Sequence, residues 1–181
     1  MAWQVRRAVP ADAKEIARIK VVTWRAAYRG VIPDAVLDRL SVESLTRNWA
    51  YIVARPDPDA VFVAFDPDAG EETLAAYCSV SAVREERDAH PGRRTAELRA
   101  LYAAPPHWGT GAGRAVHDRA VQHLVEAGFE HAVLWVLVDN PRARRFYEAR
   151  GWRCDEVVQD LDLEGGYTVP EIRYSRALGS G

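Results

Sequence analysis

The chain of 181 residues is predicted to fold as one α/β domain around a mixed, mostly antiparallel sheet flanked by helices. Three observations predict this class. Strand-like and helix-like segments alternate along the chain. Residues 131–138 form an almost continuously apolar run between two helical segments, and Glu164-Gly165-Gly166 joins the last two strands. We find no repeat or linker, so residues 1–178 are assigned to one domain and residues 179–181 to a short C-terminal tail.

The predicted order of elements is β-α-α-β-β-β-α-β-α-β-β. Pro10 and Asp12 are typical of a first helical turn, whereas Pro56 and Pro58 end the second helical segment because proline lacks a backbone donor. A turn over residues 66–72 indicates a hairpin. In chain order, the first half comprises a strand at 3–8, a helix from 10 to 30, a helical pair at 34–55 and strands at 61–65 and 73–83.

The second half begins with a charged loop and contains the apolar strand at 131–138. Because this strand lies between two helices and is apolar on both faces, it is predicted to be the centre of the sheet. Gly128 and Gly151 are placed where the helices before them end. In order, the segments are a loop at 84–93, a strand at 96–103, a helix at 111–127, the strand at 131–138, a helix at 141–150 and strands at 152–163 and 167–178.

The composition excludes several classes of protein. With 24 Lys and Arg against 26 Asp and Glu, the net charge of −2 argues against a nucleic-acid or anionic-membrane partner, which usually meets a basic excess. No run approaches the ~18 apolar residues of a membrane span, and the polar N-terminus is unlike a signal peptide. Cys78 and Cys154 have no neighbours at metal-ligand spacing. We therefore expect two small core thiols, a cytoplasmic location and no metal.

The most informative segment joins the strand at 96–103 to the helix at 111–127. It contains glycines at three alternate positions, Gly109, Gly111 and Gly113. Without Cβ atoms, consecutive N–H groups can turn toward one point, and the start of the following helix adds free N–H groups and a positive dipole end. This predicts a phosphate or pyrophosphate site, with a closely packed turn as the alternative. The P-loop and dinucleotide patterns both fail on spacing, since Arg114 stands where the latter needs glycine.

A second segment begins at Asn140, and the two segments together resemble the GNAT superfamily of N-acetyltransferases, which use acetyl-CoA. The family's pyrophosphate loop reads Gln/Arg-x-x-Gly-x-Gly/Ala. Gly111 and Gly113 match its small positions, whereas Trp108 stands where Gln or Arg is usual. The second segment matches Asn-x-x-Ala-x-x-Phe-Tyr-x-x-x-Gly-aromatic at Asn140, Ala143, Phe146, Tyr147, Gly151 and Trp152.

The resemblance implies how acetyl-CoA is held. Backbone groups of Leu101 and Ala103 would bond the pantetheine amides like an added strand, and backbone N–H groups of residues 109–114 would hold the pyrophosphate. Arg144 and Arg145 either reach the adenosine 3′-phosphate or are solvated. The implied cofactor-binding residues are Leu101, Tyr102, Ala103, Trp108, Gly109, Thr110, Gly111, Ala112, Gly113, Arg114, Asn140, Ala143 and Phe146.

The resemblance also implies two catalytic residues. Tyr147 occupies the family's general-acid position, and a phenol with a pKa of about 10 keeps its proton at neutral pH. Glu97 begins the strand that leads to the glycine loop, and it shares strand parity with Leu101, so it is predicted to face the cleft as general base. A solvated Glu97 is the alternative, and His107 is a second candidate base. An acyl-enzyme on a cysteine is the less favoured route.

The acceptor pocket is expected from the first two helices and the loop at 84–93. Trp24 and Tyr28, four residues apart, either line this pocket or belong to the core. Glu85, Glu86 and Asp88 either attract a cationic amine or form a solvated loop. The resemblance thus implies acetyl transfer from acetyl-CoA to a primary amine of a small molecule, amino acid or peptide terminus. A non-catalytic acyl-CoA-binding module is the alternative, and a homodimer is compatible with either function.

Overall fold

The computed structural model describes residues 2–69 and 73–179. Residues 70–72 of the predicted turn and residues 180–181 of the predicted tail lie outside this part of the chain. The strands are β1 (Gln4–Arg7), β2 (Ala60–Phe65), β3 (Leu74–Ala82), β4 (Thr95–Ala103), β5 (His131–Leu137), β6 (Arg153–Leu163) and β7 (Tyr167–Ala177). The helices are α1 (Ala13–Ala27), α2 (Asp34–Arg39), α3 (Val42–Val53), α4 (Ala112–Glu126) and α5 (Pro141–Glu148).

The strands form one seven-stranded sheet in the order β1-β2-β3-β4-β5-β7-β6. Among the strands of the described residues, only the β4–β5 pair is parallel, which confirms the predicted α/β class. The order of elements also matches, with α2 and α3 forming the helical pair predicted at 34–55. The expectation that the strand at 131–138 is central is wrong, because three strands precede β4 in the sheet and three follow it. The domain limits at residues 1–178 stay a prediction.

Helices cover both faces of the sheet. On one face, α4 buries Val116 and Leu124 against a cluster that includes Leu134 of β5. On the other face, α1 buries Ile16 and Ile19 together with residues of β2, β3 and α3. Helical spacing of the apolar residues gives each helix one buried stripe. β5 is covered on both faces, since residues 132–134 as well as Val136 and Leu137 are buried, as its apolar sequence predicts.

A β-bulge interrupts the pairing of β3 with β4. Val80 lies opposite Leu98, whereas Ser79 lies opposite Ala100. Arg99 is therefore an extra residue without a partner position on β3. Such a bulge adds local twist and changes which face the following side chains occupy.

The bulge corrects the predicted orientation of Glu97. Leu98 belongs to the cluster on the α4 face, and Leu101 packs against the same cluster. Ala100 and Tyr102 pack instead against the cluster on the α1 face. Strict alternation would have placed Leu98 with Ala100 and Tyr102, so side-chain parity changes at the bulge. Glu97 and Leu101 thus face opposite sides of the sheet, and the parity argument for Glu97 is wrong.

His117 is buried and Cys154 is exposed. The side chain of His117 is 1% exposed because α4 turns this position toward the sheet. Its Nε2 accepts a hydrogen bond from the indole N–H of Trp152 at 3.0 Å. Cys154 was expected in the core, but it is exposed on the edge strand β6. Cys78 is buried, and burial raises the pKa of its thiol, which disfavours a reactive thiolate.

The burial of His117 predicts how stability depends on pH. Burial lowers the pKa of His117 below its ordinary value of 6.5, and Asp118 opposes this only in part. The unfolded chain then binds a proton more readily than the folded chain, so the free energy of unfolding falls as the pH drops below 6.5. In His117→Gln, which keeps an acceptor for Trp152, urea denaturation between pH 7.5 and 5.5 should give a smaller decrease. An unchanged decrease would contradict this prediction.

Candidate active site

The sheet opens into a wedge between β4 and β5. Their parallel pairing runs from Thr95 opposite His131 to Leu98 opposite Leu134 and ends there. Both strands continue, to Ala103 and Leu137, respectively. Beyond Leu98, the edge of β4 that faces β5 is therefore without a strand partner among the described residues.

The backbone of β4 presents hydrogen-bonding groups to this wedge. On its other side, β4 pairs with β3. The N–H of Ala104 donates to the carbonyl of Ala75, a residue of β3, at 2.8 Å. Hydrogen-bonded residues alternate along an antiparallel strand. Tyr102 therefore directs its backbone groups to β3, whereas Leu101 and Ala103 direct theirs into the wedge. These are the two residues that the resemblance assigns to the pantetheine amides.

A cavity of about 360 Å³ occupies the wedge and extends to the glycine loop and to α1. Most of the residues that the sequence predicts for the site lie on its wall, whereas Glu97, Thr110 and Ala112 are not among the described residues that line it. The predicted residues on the wall are Trp24, Tyr28, Leu101, Tyr102, Ala103, Trp108, Gly109, Gly111, Gly113, Arg114, Asn140, Ala143, Phe146 and Tyr147.

The glycine loop forms a cradle of backbone N–H groups at the start of α4. Gly111 precedes the helix with φ of 97°, and Gly109 has φ of 77°, both in the left-handed region that glycine adopts without strain. Gly111 has no side chain to cap the helix, so the N–H groups of the first turn remain available for an anion. An added Cβ at Gly113 would lie 3.7 Å from Leu101 Cδ2, an ordinary contact. Glycine is therefore required at 111 more than at 113.

Trp3 supports the loop from the N-terminal end of the chain, a role that the sequence analysis missed. Its indole N–H donates to the carbonyl of Thr110 at 3.0 Å. Its ring also contacts His107 edge-on, with a centroid separation of 5.3 Å. The hydrogen bond from Trp3 explains why Thr110, although part of the loop, presents its carbonyl away from the cavity. No local pattern near Trp3 signals this, because the partner lies more than a hundred residues away.

Trp108 has a structural explanation although it departs from the family pattern. Its indole N–H donates to the carbonyl of Ala103 at 2.7 Å, and Thr23 Oγ1 donates to the same carbonyl at 3.0 Å. The guanidinium of Arg142, at the start of α5, lies 4.2 Å from the centroid of the Trp108 ring. Trp108 thus fixes the end of β4, and the cation–π contact brings a positive charge from the other wall of the cavity to the loop.

Three arginines line the cavity near the cradle: Arg114, Arg142 and Arg150. Arg150 lies 3.9 Å over the ring of Phe146 and donates to its carbonyl at 3.1 Å. Its pKa is lowered by burial and by the neighbouring Arg114, so an anion between them would be stabilising. Arg144, in contrast, donates to the Tyr174 hydroxyl at 3.1 Å and supports α5.

Tyr147 and Asn140 are positioned by α5. Tyr147 is 6% exposed and lines the cavity, and burial raises its pKa above its ordinary value of 10.0. The hydroxyl therefore keeps its proton at neutral pH. Asn140 is the N-cap of α5, since its Oδ1 accepts from the N–H of Ala143 at 3.0 Å. Its Nδ2 donates to the Tyr28 hydroxyl at 3.4 Å, which links the end of α1 to the start of α5.

The α1 side of the cavity holds the aromatic and acidic residues. Trp24 and Tyr28 contact each other edge-on at 5.3 Å, and both line the cavity while packing on a small core cluster. Their part in an acceptor pocket stays a prediction. Glu97 forms two bonds to Arg84, at 2.8 and 3.0 Å. The carboxylate on the wall is instead Glu171 of β7, which the sequence analysis missed because nothing local distinguishes it.

The loop at 84–93 is divided between surface and interior. Glu85 and Glu86 are exposed, as expected of a solvated loop. Asp88 is buried, pairs with Arg173 at 2.9 Å and accepts from the Trp135 indole at 3.1 Å. Asp88 therefore ties the loop to the sheet.

Within residues 2–69 and 73–179, no cluster of three or more His, Cys, Asp or Glu side chains is arranged to hold a metal ion. In the same part of the chain, no helix has the length and apolar character that crossing a membrane requires.

Known proteins resemble this chain in sequence and in fold. The N-acetyltransferase YuaI of Bacillus subtilis, itself uncharacterized, is 30% identical over 168 residues, which cover 93% of this chain and 89% of YuaI. The PaiA N-acetyltransferase of Thermoplasma acidophilum, solved with coenzyme A, has a TM-score of 0.73 at 16% identity and covers 98% of this chain and 99% of its own.

A phosphinothricin acetyltransferase of Sinorhizobium meliloti, solved with acetyl-CoA, has a TM-score of 0.70 at 22% identity, with 100% of this chain and 91% of its own covered. These two structures share the fold. The model of the acetyltransferase (GNAT) family matches residues 21–152, most of the chain and both motifs up to Trp152. The family match and the similarity to YuaI together show that this chain belongs to the GNAT family of acetyltransferases.

Proposed function

We propose that this protein transfers an acetyl group from acetyl-CoA directly to a primary amine of a small molecule, amino acid or peptide terminus. The observation that supports this best is the wedge between β4 and β5, which leads from the N–H cradle of α4 past Tyr147. A long donor with phosphates at one end and a thioester at the other matches this arrangement. PaiA and the Sinorhizobium enzyme, which share the fold, were solved with CoA and acetyl-CoA.

The residues on the wall match the parts of the donor. The cradle at Gly109–Gly113 and the arginines Arg114, Arg142 and Arg150 would hold the phosphates. The backbone groups of Leu101 and the N–H of Ala103 would pair with the pantetheine amides. The Ala103 carbonyl is already bound by Trp108, so the arm would find one acceptor fewer there.

The transfer forms a bond between the acetyl carbon and the amine nitrogen and breaks the carbon–sulfur bond. An alkylammonium loses two protons in total, one before the attack and one as the amide forms. The leaving sulfur takes up one proton, for which Tyr147 is the proposed donor, and the other proton reaches water through a base. Glu97 is held by Arg84 away from the wall, and its role as that base stays a prediction.

A test separates the enzyme from a non-catalytic acyl-CoA-binding module of the same fold. Acetyl-CoA at about 100 times its Kd should stabilise either protein by about 2.7 kcal/mol, read as a rise in Tm. Only the enzyme should then release CoA thiol when phenethylamine, putrescine, L-lysine or a peptide with a free N-terminus is added. Absence of binding would contradict both functions, and binding without amine-dependent thiol release would favour the module. The cytoplasmic location and a homodimer stay predictions.

Gly111→Asp should weaken acetyl-CoA binding by about 100- to 1000-fold. The variant introduces a carboxylate beside the phosphates, and two like charges about 4 Å apart repel by about 4 kcal/mol at an effective dielectric constant of about 20. Gly92→Asp is the matched control, because Gly92 also has a positive φ, of 78°, but lies in an exposed loop away from the cavity. Isothermal titration should show the loss for Gly111→Asp alone. Equal affinities of the two variants would rule out the cradle.

Tyr147→Phe should lower kcat by about 100-fold or more while the Kd of acetyl-CoA stays nearly the same, because only proton donation to the sulfur is lost. Tyr77→Phe is the control: the Tyr77 hydroxyl is buried without a partner in the described residues and lies off the cavity wall. Thiol release and calorimetry on both variants check this. A large loss of acetyl-CoA affinity in Tyr147→Phe would indicate a packing role instead.

A further inference from the structure

We propose that Glu171 binds the ammonium group of the acceptor and takes up its proton, an inference that rests on the proposed function. Glu171 lies on β7 opposite Leu137, the last residue of β5, at a level beyond the point where the β4–β5 pairing ends. It is 8% exposed and lines the cavity. Of the described residues on the wall, it is the one with a carboxylate.

The carboxylate of Glu97 is committed elsewhere. Both of its oxygens accept bonds from Arg84, at 2.8 and 3.0 Å, and the side chain does not line the cavity. The two-bond pair with arginine occupies both carboxylate oxygens of Glu97. Freeing Glu97 would break this ion pair, whereas Glu171 needs no such rearrangement.

Gln159 of β6 fixes the orientation of Glu171. Its Nε2 donates to Glu171 Oε1 at 2.6 Å, and its own Oε1 accepts from Arg87 at 2.7 Å. Because the arginine can only donate, the amide oxygen must face Arg87 and the amide nitrogen must face Glu171. One carboxylate oxygen is thus bound, and the other remains for a donor such as an ammonium group.

The surroundings favour proton uptake by Glu171. Burial raises its pKa above the ordinary value of 4.5, and nearby carboxylates add to this, whereas Gln159 and an arginine lower it. A carboxyl group with a raised pKa is a stronger base for an ammonium proton. The charged and titratable groups that act on it come from α1, from β4 and from the loop after β3: Tyr28, Glu97, Arg84 and Asp88.

With Glu171 and Tyr147 in these roles, every proton of the reaction is accounted for. Glu171 accepts the first ammonium proton, which leaves a neutral amine to attack the acetyl carbon. As the carbon–sulfur bond breaks, the leaving sulfur gains the proton of Tyr147. The second proton of the nitrogen restores Tyr147 through water, and Glu171 releases its own proton to solvent. One proton is released in each turnover, and no oxidant or other reactant is needed.

Glu171→Gln tests the proposal with acetyl-CoA and whichever of phenethylamine, putrescine, L-lysine or the peptide gives the highest turnover. We expect kcat/KM to fall by about 100-fold or more, with the Kd of acetyl-CoA unchanged. In the wild-type protein, kcat/KM should rise with pH as Glu171 ionises, which gives the pH profile an acidic limb centred above pH 4.5. This limb should disappear in Glu171→Gln and remain, at reduced rate, in Glu171→Asp.

Glu164→Gln is the matched control, because it removes a carboxylate from the exposed turn of the same hairpin and should leave activity and the limb unchanged. Retention of the limb in Glu171→Gln, or its loss in Glu97→Gln alone, would overturn the proposal while leaving the acetyltransferase function intact. Absence of turnover with all four amines in the wild-type protein would contradict the function itself.

Discussion

The end of the β4–β5 pairing at Leu98 and Leu134 is the constraint on which the rest of the site depends. Backbone N–H and C=O groups inside a protein require partners, yet β4 continues beyond this point beside a gap. A strand edge of this kind can be satisfied by an extended ligand. The bulge at Arg99 lies at the same level and adds twist, so β4 leads away from β5 toward the glycine loop.

Side chains from distant parts of the chain hold the two walls in place. Trp108 fixes the end of β4 and meets Arg142 of α5 across the cavity. Asn140 caps α5 and also contacts Tyr28 of α1. The contacts join the proposed donor side to the proposed acceptor side through single hydrogen bonds and one cation–π pair. Since a hydrogen bond contributes only about 1 kcal/mol net, the walls are held by several weak contacts rather than by one strong one.

Much of the site was predictable because its chemistry is backbone chemistry. The glycine at position 111 needs a positive φ, and the amide of Asn140 needs a following helix, and both requirements are local. Tyr147 and Phe146 were implied by the family resemblance, because both belong to the motif that begins at Asn140. The shared parity of Glu97 and Leu101 was mispredicted because alternation along a strand holds only while the register is regular, and a bulge cannot be recognised from Glu97 and its neighbours.

The sequence by itself determined the elements, the conformation of the glycine loop and the family resemblance, because periodicity, proline and glycine act over a few residues. Only the tertiary structure decided which carboxylate reaches the cavity. That choice depends on Arg84 binding Glu97 and on β7 pairing with β5, which brings Glu171 to the wedge. It also decided that Trp3 supports the loop. Such contacts join residues far apart in the chain, so their energies leave no local pattern in the sequence.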